Sequence, residues 1–342
     1  MPEATQQRYV LMCLDPLHVG TGGTRLGRVD MDIVREPGTR LPKIPGTSLG
    51  GAIRQYAAYQ AERPGCAGQG NHEGTKKHCG QPDCPICYTF GTARGNEGGQ
   101  QGTVSLFDAY LLLFPVHSMA GPVWVSTVER LGEYGFGVTP PPGPPADGGE
   151  GGQPPSGREG GQAADGGDEV AATTLDGWNK PLNLGWLMLE ARSGATVTPP
   201  AGWTLTEGAK AWGAVAKRIV LVTDKVFSQV VNSNLEVRTS VSIDPQTGAA
   251  TEGALFTYEA LPRATWLVAE AVEDDYLGKA SAWAKEKNPK GWTRPLQVVT
   301  AGLKAAEMLG LGGMGTRGFG RVRLVAEQTL PQKQEASHEP VA

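Results

Sequence analysis

Four of the chain's five cysteines, Cys66, Cys79, Cys84 and Cys87, crowd into one short stretch, and Cys79-x4-Cys84-x2-Cys87 ends in a zinc-knuckle spacing. Thiolates placed this way bind a soft divalent cation tetrahedrally, and clustered cysteines in a reducing compartment are more often metal ligands than disulfides. Cys66 is the expected fourth ligand; His72 is the runner-up, and His78 is also near enough to serve. The intervening Ala67–Gly70 and Gln81–Asp83 have almost nothing apolar to pack, so a metal would staple an insertion over residues 63–92. A closed four-ligand site leaves no open position, which makes the expected metal structural Zn and not a catalyst. The remaining Cys13 lies in the first apolar strand and reads as a small buried hydrophobe.

A second set of reactive residues lies near the N-terminus. His18-Val19-Gly20-Thr21-Gly22-Gly23 precedes Val29-Asp30-Met31-Asp32-Ile33-Val34-Arg35-Glu36, and Lys43-Ile44-Pro45-Gly46-Thr47-Ser48-Leu49-Gly50-Gly51-Ala52-Ile53-Arg54 follows. The order reads as strand, glycine-rich loop with two aspartates, second strand, and helix. Thr47 or Ser48 is placed to cap the helix, Leu49, Ile53 and Tyr56 share a face, and Pro64-Gly65 stops the run. A helix N-terminus reached through such a turn offers free N–H donors and partial positive charge to a phosphate, and Arg54 on the same helix could reinforce it. The plainer alternative is a tight turn with Arg54 in solvent.

The elements that must hold these groups belong to a soluble globular chain: 342 residues, 39% hydrophobic and 19% charged. No apolar run approaches the roughly 18 residues that span a bilayer, and no charged leader precedes an apolar stretch, so a cytoplasmic protein with no membrane partner is expected. The net charge of −4 runs against nucleic-acid binding, but six of the acids and only one base fall between Pro140 and Glu169. Without them the rest is close to neutral, and backbone donors can replace side-chain cations in holding phosphates. That Pro/Gly-rich acidic stretch, residues 139–172, is expected to be a disordered insertion within one domain, the strand-like segments on either side pairing across it. Val237, Thr239, Val241 and Ile243 alternate before the turn Asp244–Gly248 and the return Ala254-Leu255-Phe256, which predicts a β-hairpin. Gly313-Met314-Gly315-Thr316-Arg317-Gly318 fits a dinucleotide fingerprint, but a helical face (Leu296, Val299, Leu303, Ala306, Leu309) precedes it and strand Val322–Val325 follows. That fingerprint requires the reverse order.

Taken in order, these motifs resemble the RAMP superfamily of CRISPR proteins. The N-terminal block is similar to the superfamily's His-x-Gly-x-Gly loop, its Val/Ile-Asp before a strand ending in Arg, and its Ile-Pro-Gly-Ser/Thr-Ser-Leu-(Lys)-Gly-x-x-Arg segment. Phe107-Asp108-Ala109-Tyr110, Leu113–Ser118, Gly253–Pro262 and Gly312–Gly320 resemble one subgroup, the Cas-seven type backbone ribonucleases that form the fourth subunit of the type III-B Cmr effector. The matches run in the expected order over roughly residues 8 to 325.

The resemblance implies an α+β fold: a single RRM-like (ferredoxin-like) RAMP core over residues 1–330, with the zinc-stapled insertion, the acidic insertion, a thumb hairpin at 236–262 and a disordered tail at 331–342. It implies a subunit that polymerises with further copies of itself along a CRISPR guide RNA. Other Cmr subunits, including the small subunit and the Cas-ten type large subunit, would complete the complex. The subunit would cut complementary target RNA at regular intervals as an endoribonuclease dependent on Mg or Mn. By position Asp30 matches the catalytic aspartate and His18 an acid or base near the cut, whereas Asp32 has no counterpart. Arg28, Arg35, Lys43, Ser48, Gly51, Arg54, Gly315 and Arg317 would bind RNA, and Ile243, Leu255 and Phe256 would form the thumb that displaces a nucleotide. Tyr258 and Glu259 take supporting roles. Gly50 stands where many relatives have Lys, a loss that Lys43, Arg35 or Arg28 would offset. The alternatives are a non-cleaving RAMP scaffold or capping subunit, the equivalent type III-A Csm backbone subunit, and, from another class, a Zn-dependent metabolic enzyme.

Overall fold

The first apolar run becomes strand β1, Thr5–Cys13, in which Tyr9, Val10, Leu11 and Cys13 are all buried, as a central strand covered on both faces requires. The computed structural model describes residues 4–22, 29–68, 78–92, 99–141, 170–205, 209–278, 283 and 287–330. After β1 come β2 (Lys43–Ile44), α1 (Gly46–Gln60), α2 (Pro85–Phe90), β3 (Val104–Leu106) and β4 (Ala109–Ser118). Then follow β5 (Gly121–Ser126), α3 (Val128–Glu133), β6 (Gly137–Thr139), β7 (Val170–Thr173), β8 (Leu182–Leu184), β9 (Leu187–Ser193) and β10 (Thr196–Thr198). The chain continues through β11 (Thr204–Leu205), α4 (Ala209–Val215), β12 (Ile219–Leu221), α5 (Asp224–Ser233), β13 (Glu236–Ile243), β14 (Ala250–Ala260), β15 (Trp266–Glu273), α6 (Pro295–Leu309) and β16 (Val322–Leu330). These elements form two compact units, one from Met1–Pro115, Ala201–Ala211 and Val231–Ala342, the other from Val116–Pro200 and Trp212–Val230.

In the first unit the strand order is β11-β16-β1-β15-β4, with β1 antiparallel to both β15 and β16 and β15 antiparallel to β4. Followed along the chain, β1-α1-β4 and β15-α6-β16 each pass one intervening strand, the β-α-β-β-α-β plan of a ferredoxin-like core. The two helices cross on their apolar faces. Leu49, Ile53, Ala57 and Ala58 of α1 and Val298, Val299, Leu303 and Ala306 of α6 are buried, each large aliphatic contributing roughly 1.5–3 kcal/mol. The start of α6 is tied to the sheet by Glu273 of β15, whose Oε2 accepts from Leu296 N at 3.1 Å while Oε1 pairs with Arg294 at 3.2 Å.

The second unit orders its strands β5-β12-β7-β9-β8, and β6 pairs separately with β10. Thr127 caps α3 by accepting from Arg130 N at 3.1 Å. The acidic insertion expected to be disordered over 139–172 is shorter at both ends: Thr139 belongs to β6 and Val170–Ala172 to β7, where backbone pairing orders them; residues 142–169 lie outside the described residues, as does the tail 331–342. The short second strand expected after Asp30 and ending in Arg35 makes only isolated bridges: Met31 with Tyr258, Ile33 with Gly20, Arg35 with Pro42. Each residue pairs with a different segment, so no ladder propagates.

Candidate functional site

The expected hairpin is present in the first unit: β13 and β14 pair antiparallel from Glu236↔Ala260 to Val241↔Leu255 around the turn at 244–248. Its outer part leaves Ile243 and Leu255 52% and 65% exposed. Two strands alone are marginal in water, so the anchor lies at the base. There Tyr258, Ala260 and Phe319 form a buried cluster with Met31, Phe256 and Met314 packed against it. Arg317 stacks over the Phe256 ring at 5.3 Å and Arg238 over Phe319 at 4.7 Å. Gly315 begins a short turn, Gly315–Arg317, between left-handed residues Met314 and Gly318.

From this base β14 serves as the spine on which the reactive residues hang. Thr257 donates from N and Oγ1 to Asp30 Oδ2 at 2.7 and 3.0 Å, and Asp30 N donates back to Thr257 O at 3.1 Å. Asp30 is exposed, and these donors, the backbone one foremost, hold its carboxyl below the usual range. Two residues on, the Glu259 carbonyl lies 2.6 Å from His18 Nδ1. A carbonyl only accepts, so Nδ1 donates, and it is the Nε2 side of the ring that is left without this partner. His18 is buried, and Gly20 lies beside it: a Cβ there would come within 2.9 Å of Nε2. Thr257 and Glu259 sit on one strand edge, so the two anchor points are about 7 Å apart. The terminal glycine loop closes over the same histidine. Gly313 N donates to His18 O at 2.8 Å, and at Gly312, with φ +74°, a Cβ would meet that oxygen at 2.3 Å.

Arg35, expected at the RNA, is committed within the protein. Its guanidinium donates to Glu259 Oε2 at 2.6 Å, Asn232 Oδ1 at 3.2 Å and Ile33 O at 3.3 Å. Removing one partner of such a buried pair costs about 3–5 kcal/mol, because the other charge is left unpaired.

The start of α1 differs from its sequence reading. The helix begins at Gly46 with Pro45 at the N-cap, and neither Thr47 nor Ser48 caps it. Asp108 takes that place: Oδ1 accepts from Gly46 N at 2.7 Å and Oδ2 pairs with Lys43 Nζ at 2.5 Å. Burial opposes ionisation of Asp108, but Lys43 and the helix N–H keep its carboxyl below the usual range. Lys43 therefore already has an anionic partner. Ser48 and Gly51 are exposed in the first turns. Arg54 does not reach the helix N-terminus; it donates to Cys66 O at 2.8 Å and Phe90 O at 3.4 Å, with His78 Nδ1 at 3.0 Å. Arg28 and His72 lie outside the described residues.

The four cysteine sulfurs all lie within 4.8 Å of one another, with separations of 3.6 Å for Cys66–Cys79 and Cys79–Cys87 and 4.0 Å for Cys84–Cys66. At Zn–S about 2.3 Å the edge of a regular tetrahedron is about 3.8 Å, and these three separations lie close to it, so the sulfurs suit a tetrathiolate site. All five cysteines are free. Sulfur contacts from Cys84 and Cys87 push the Cys66 thiol down, and the same hydrogen-bond contact with Cys66, helped by burial, pushes Cys84 up to about 12. The cysteines pack against Ala57, Ala58, Ile86, Tyr88, Trp283 and Val298, with Cys66, Cys84 and Cys87 buried and Cys79 partly exposed. Cys13 is buried, its thiol pushed up to about 12 by desolvation.

The RAMP superfamily's sequence model matches residues 10–323, nearly all of this fold. The chain belongs to the RAMP superfamily. Among curated relatives of this RAMP protein, the CRISPR endoribonuclease Csm3 of Methanothermobacter thermautotrophicus is 33% identical over 94 residues, 26% of this chain and 35% of that one. The Cmr endoribonuclease Cmr4 of Pyrococcus furiosus is 36% identical over 111 residues, 32% of this chain and 31% of that one. The chain thus matches about a third of the length of these relatives. A type III-B Cmr-beta structure bound to cognate target RNA superposes with TM-score 0.54 at 14% identity, covering 94% of this chain and 96% of that one. A crystal structure of Cmr4 gives 0.50 at 18% identity, covering 96% and 99%. At such identities the likeness is one of fold.

Within this RAMP fold α6 precedes the terminal glycines and β16 follows them, the reverse of a dinucleotide site. Two residues that position the site escaped sequence reasoning. Thr257 carries no local signal, since its partner Asp30 is 227 positions away. Asp108 follows an exposed Phe107, and nothing in its chain neighbours points to the helix start it holds 62 positions away.

Proposed function

We propose that this RAMP protein is a backbone subunit of a type III CRISPR effector of the Cmr kind, which binds guide RNA along a polymer of its own copies and cuts the paired target RNA. The observation that carries the reading is Asp30: an exposed, ionised carboxylate pinned to Thr257 at the root of a projecting hairpin, with the glycine loop bearing Arg317 packed at the same root. The names of the relatives, CRISPR endoribonucleases of the Cmr and Csm systems, support the class.

Cleavage through a 2′-oxygen needs that oxygen, the phosphorus and the leaving oxygen nearly in line, which a regular A-form stack denies. The exposed apolar side chains Ile243 and Leu255 suit a wedge that unstacks one nucleotide, and Phe256 braces it from below. His18 Nε2 is the lone pair available to take or return a proton beside Gly20. Among the described residues no group of three metal-ligating side chains includes Asp30. A single carboxylate completed by phosphate oxygens is nevertheless a donor set that Mg or Mn accepts, and Asp30 would hold the ion. Such an ion, when bound, neutralises charge developing on the phosphate. Exposed Ser48, Gly51 and Gly315, with Arg317, form the phosphate-holding surface; the cysteine centre holds structural Zn. No helix of the described residues is long and apolar enough to cross a membrane.

The test is reconstitution with a guide RNA and a labelled complementary RNA, read on a sequencing gel. Evenly spaced cuts whose register follows the guide's end are expected. A 2′-deoxy nucleotide 5′ of one scissile phosphate should erase that cut alone. Irregular or base-specific cleavage would refute the polymer, and absence of cleavage with intact binding would leave a scaffold. The Csm alternative draws on the Csm3 match; assembly with Csm rather than Cmr subunits, including the small and Cas-ten type large subunits, would select it.

A further inference from the structure

Arg54 sits in the motif expected to hold phosphate, yet its guanidinium is turned to the cysteine loop, where it touches both ends of the metal-ligand stretch. Nε donates to the carbonyl of the ligand Cys66, Nη1 to the carbonyl of Phe90 shortly after the ligand Cys87, and Nη2 meets His78, just before the ligand Cys79. Arginine only donates, so His78 Nδ1 accepts and is occupied. A second arginine is close by: Arg63, three residues before Cys66, has its Nε buried without a hydrogen-bond partner among the described residues, and its side chain hydrogen-bonds the Cys66 sulfur.

Charge explains why two cations should be there. Four thiolates around a divalent ion carry two net negative charges, and a buried uncompensated charge is costly. We infer that Arg54 and Arg63 are positioning residues that neutralise the tetrathiolate metal centre, with Arg54 also fixing the geometry of its ligand loop, and that Arg54 is not a phosphate ligand. The inference rests on the reading of the cysteine cluster as a Zn centre. It goes further in making a motif residue of α1 part of that centre and tying the helix to it.

The experiment measures Zn affinity of the full chain by competition with a chromophoric chelator in wild type, Arg54→Met, Arg54→Gln, Arg54→Lys and Arg63→Met. Cobalt-substituted samples are run in parallel, because their thiolate charge-transfer bands report whether a variant still folds and holds four sulfurs. The Met variants should lose roughly 10- to 100-fold in Zn affinity while keeping the bands, the loss typical when a group supporting the ligands is removed. Arg54→Lys, which keeps the charge, should recover most of it, and Arg54→Gln should not. Binding of a guide-length RNA by Arg54→Met should stay within about twofold of wild type. Unchanged Zn affinity in the Met variants, rescue by Gln and not by Lys, or loss of RNA binding with metal retained would each overturn the inference. A wild-type chain that takes up no Zn would instead refute the metal reading beneath it.

Discussion

The cysteine centre and the Asp30 site hold charge in opposite ways. Cys84 and Cys66, 18 positions apart, meet among apolar side chains, and Arg54 is turned toward their loop. Asp30 is exposed, and its partner Thr257 lies 227 positions away. The first arrangement closes a short loop inside the fold, the setting in which the proposed Zn would be fully ligated and inert. The second leaves a carboxylate open to a substrate and fixes it with two hydrogen bonds from one residue, so its geometry depends on the β13–β14 hairpin and on the packing at its base that holds β14 there. A local closed site should fail by losing stability; a long-range open site should fail by losing chemistry.

The largest test of that contrast is Asp30→Ala, expected to lower target cleavage by at least about 100-fold while guide and target affinity stay near wild type, since the loss falls on the transition state. Asp32→Ala should cleave at close to the wild-type rate, and a reversal of the two would remove Asp30 from the chemistry. Next in size is Cys84→Ser: bound Zn falls from about one per chain, and the melting temperature drops by about 5 °C or more, with cut positions unchanged. Altered cut positions in this variant would erase the distinction between the two regions.

Thr257→Val is a smaller perturbation, removing one of the two donors and keeping the backbone N–H. Because those donors depress the Asp30 carboxyl below its ordinary 3.8, its contribution is present above that value and is lost as pH falls through the lower folded one. In the variant the acid-side fall in cleavage should move to higher pH, with a rate loss of about threefold at neutral pH. An unchanged pH profile would show that Thr257 does not set the carboxylate. The smallest expected effect is none: replacing Pro141–Asp168 with a short Gly-Ser linker should leave assembly and cleavage as they are, and lost assembly would reveal a contact made by that insertion.

What the amino-acid sequence decided by itself is what depends on neighbours in the chain. The cysteine spacing, the alternation and turn of the β13–β14 hairpin, and the helix-before-glycine order at the C-terminal end are all short-range patterns, and each appears in the structure. Tertiary structure decided where charges end their paths. Lys43 turned to Asp108, Arg35 to Glu259 and Arg54 to the Cys66 carbonyl, although all three read as phosphate cations in the chain. A long cationic side chain reaches several ångströms in many directions, so its motif names the residue but not its partner. The partner is chosen by whichever carboxylate or carbonyl the fold places within reach, because a buried polar group without a hydrogen bond is costly and a cation withdrawn from solvent is tolerated only when it is paired.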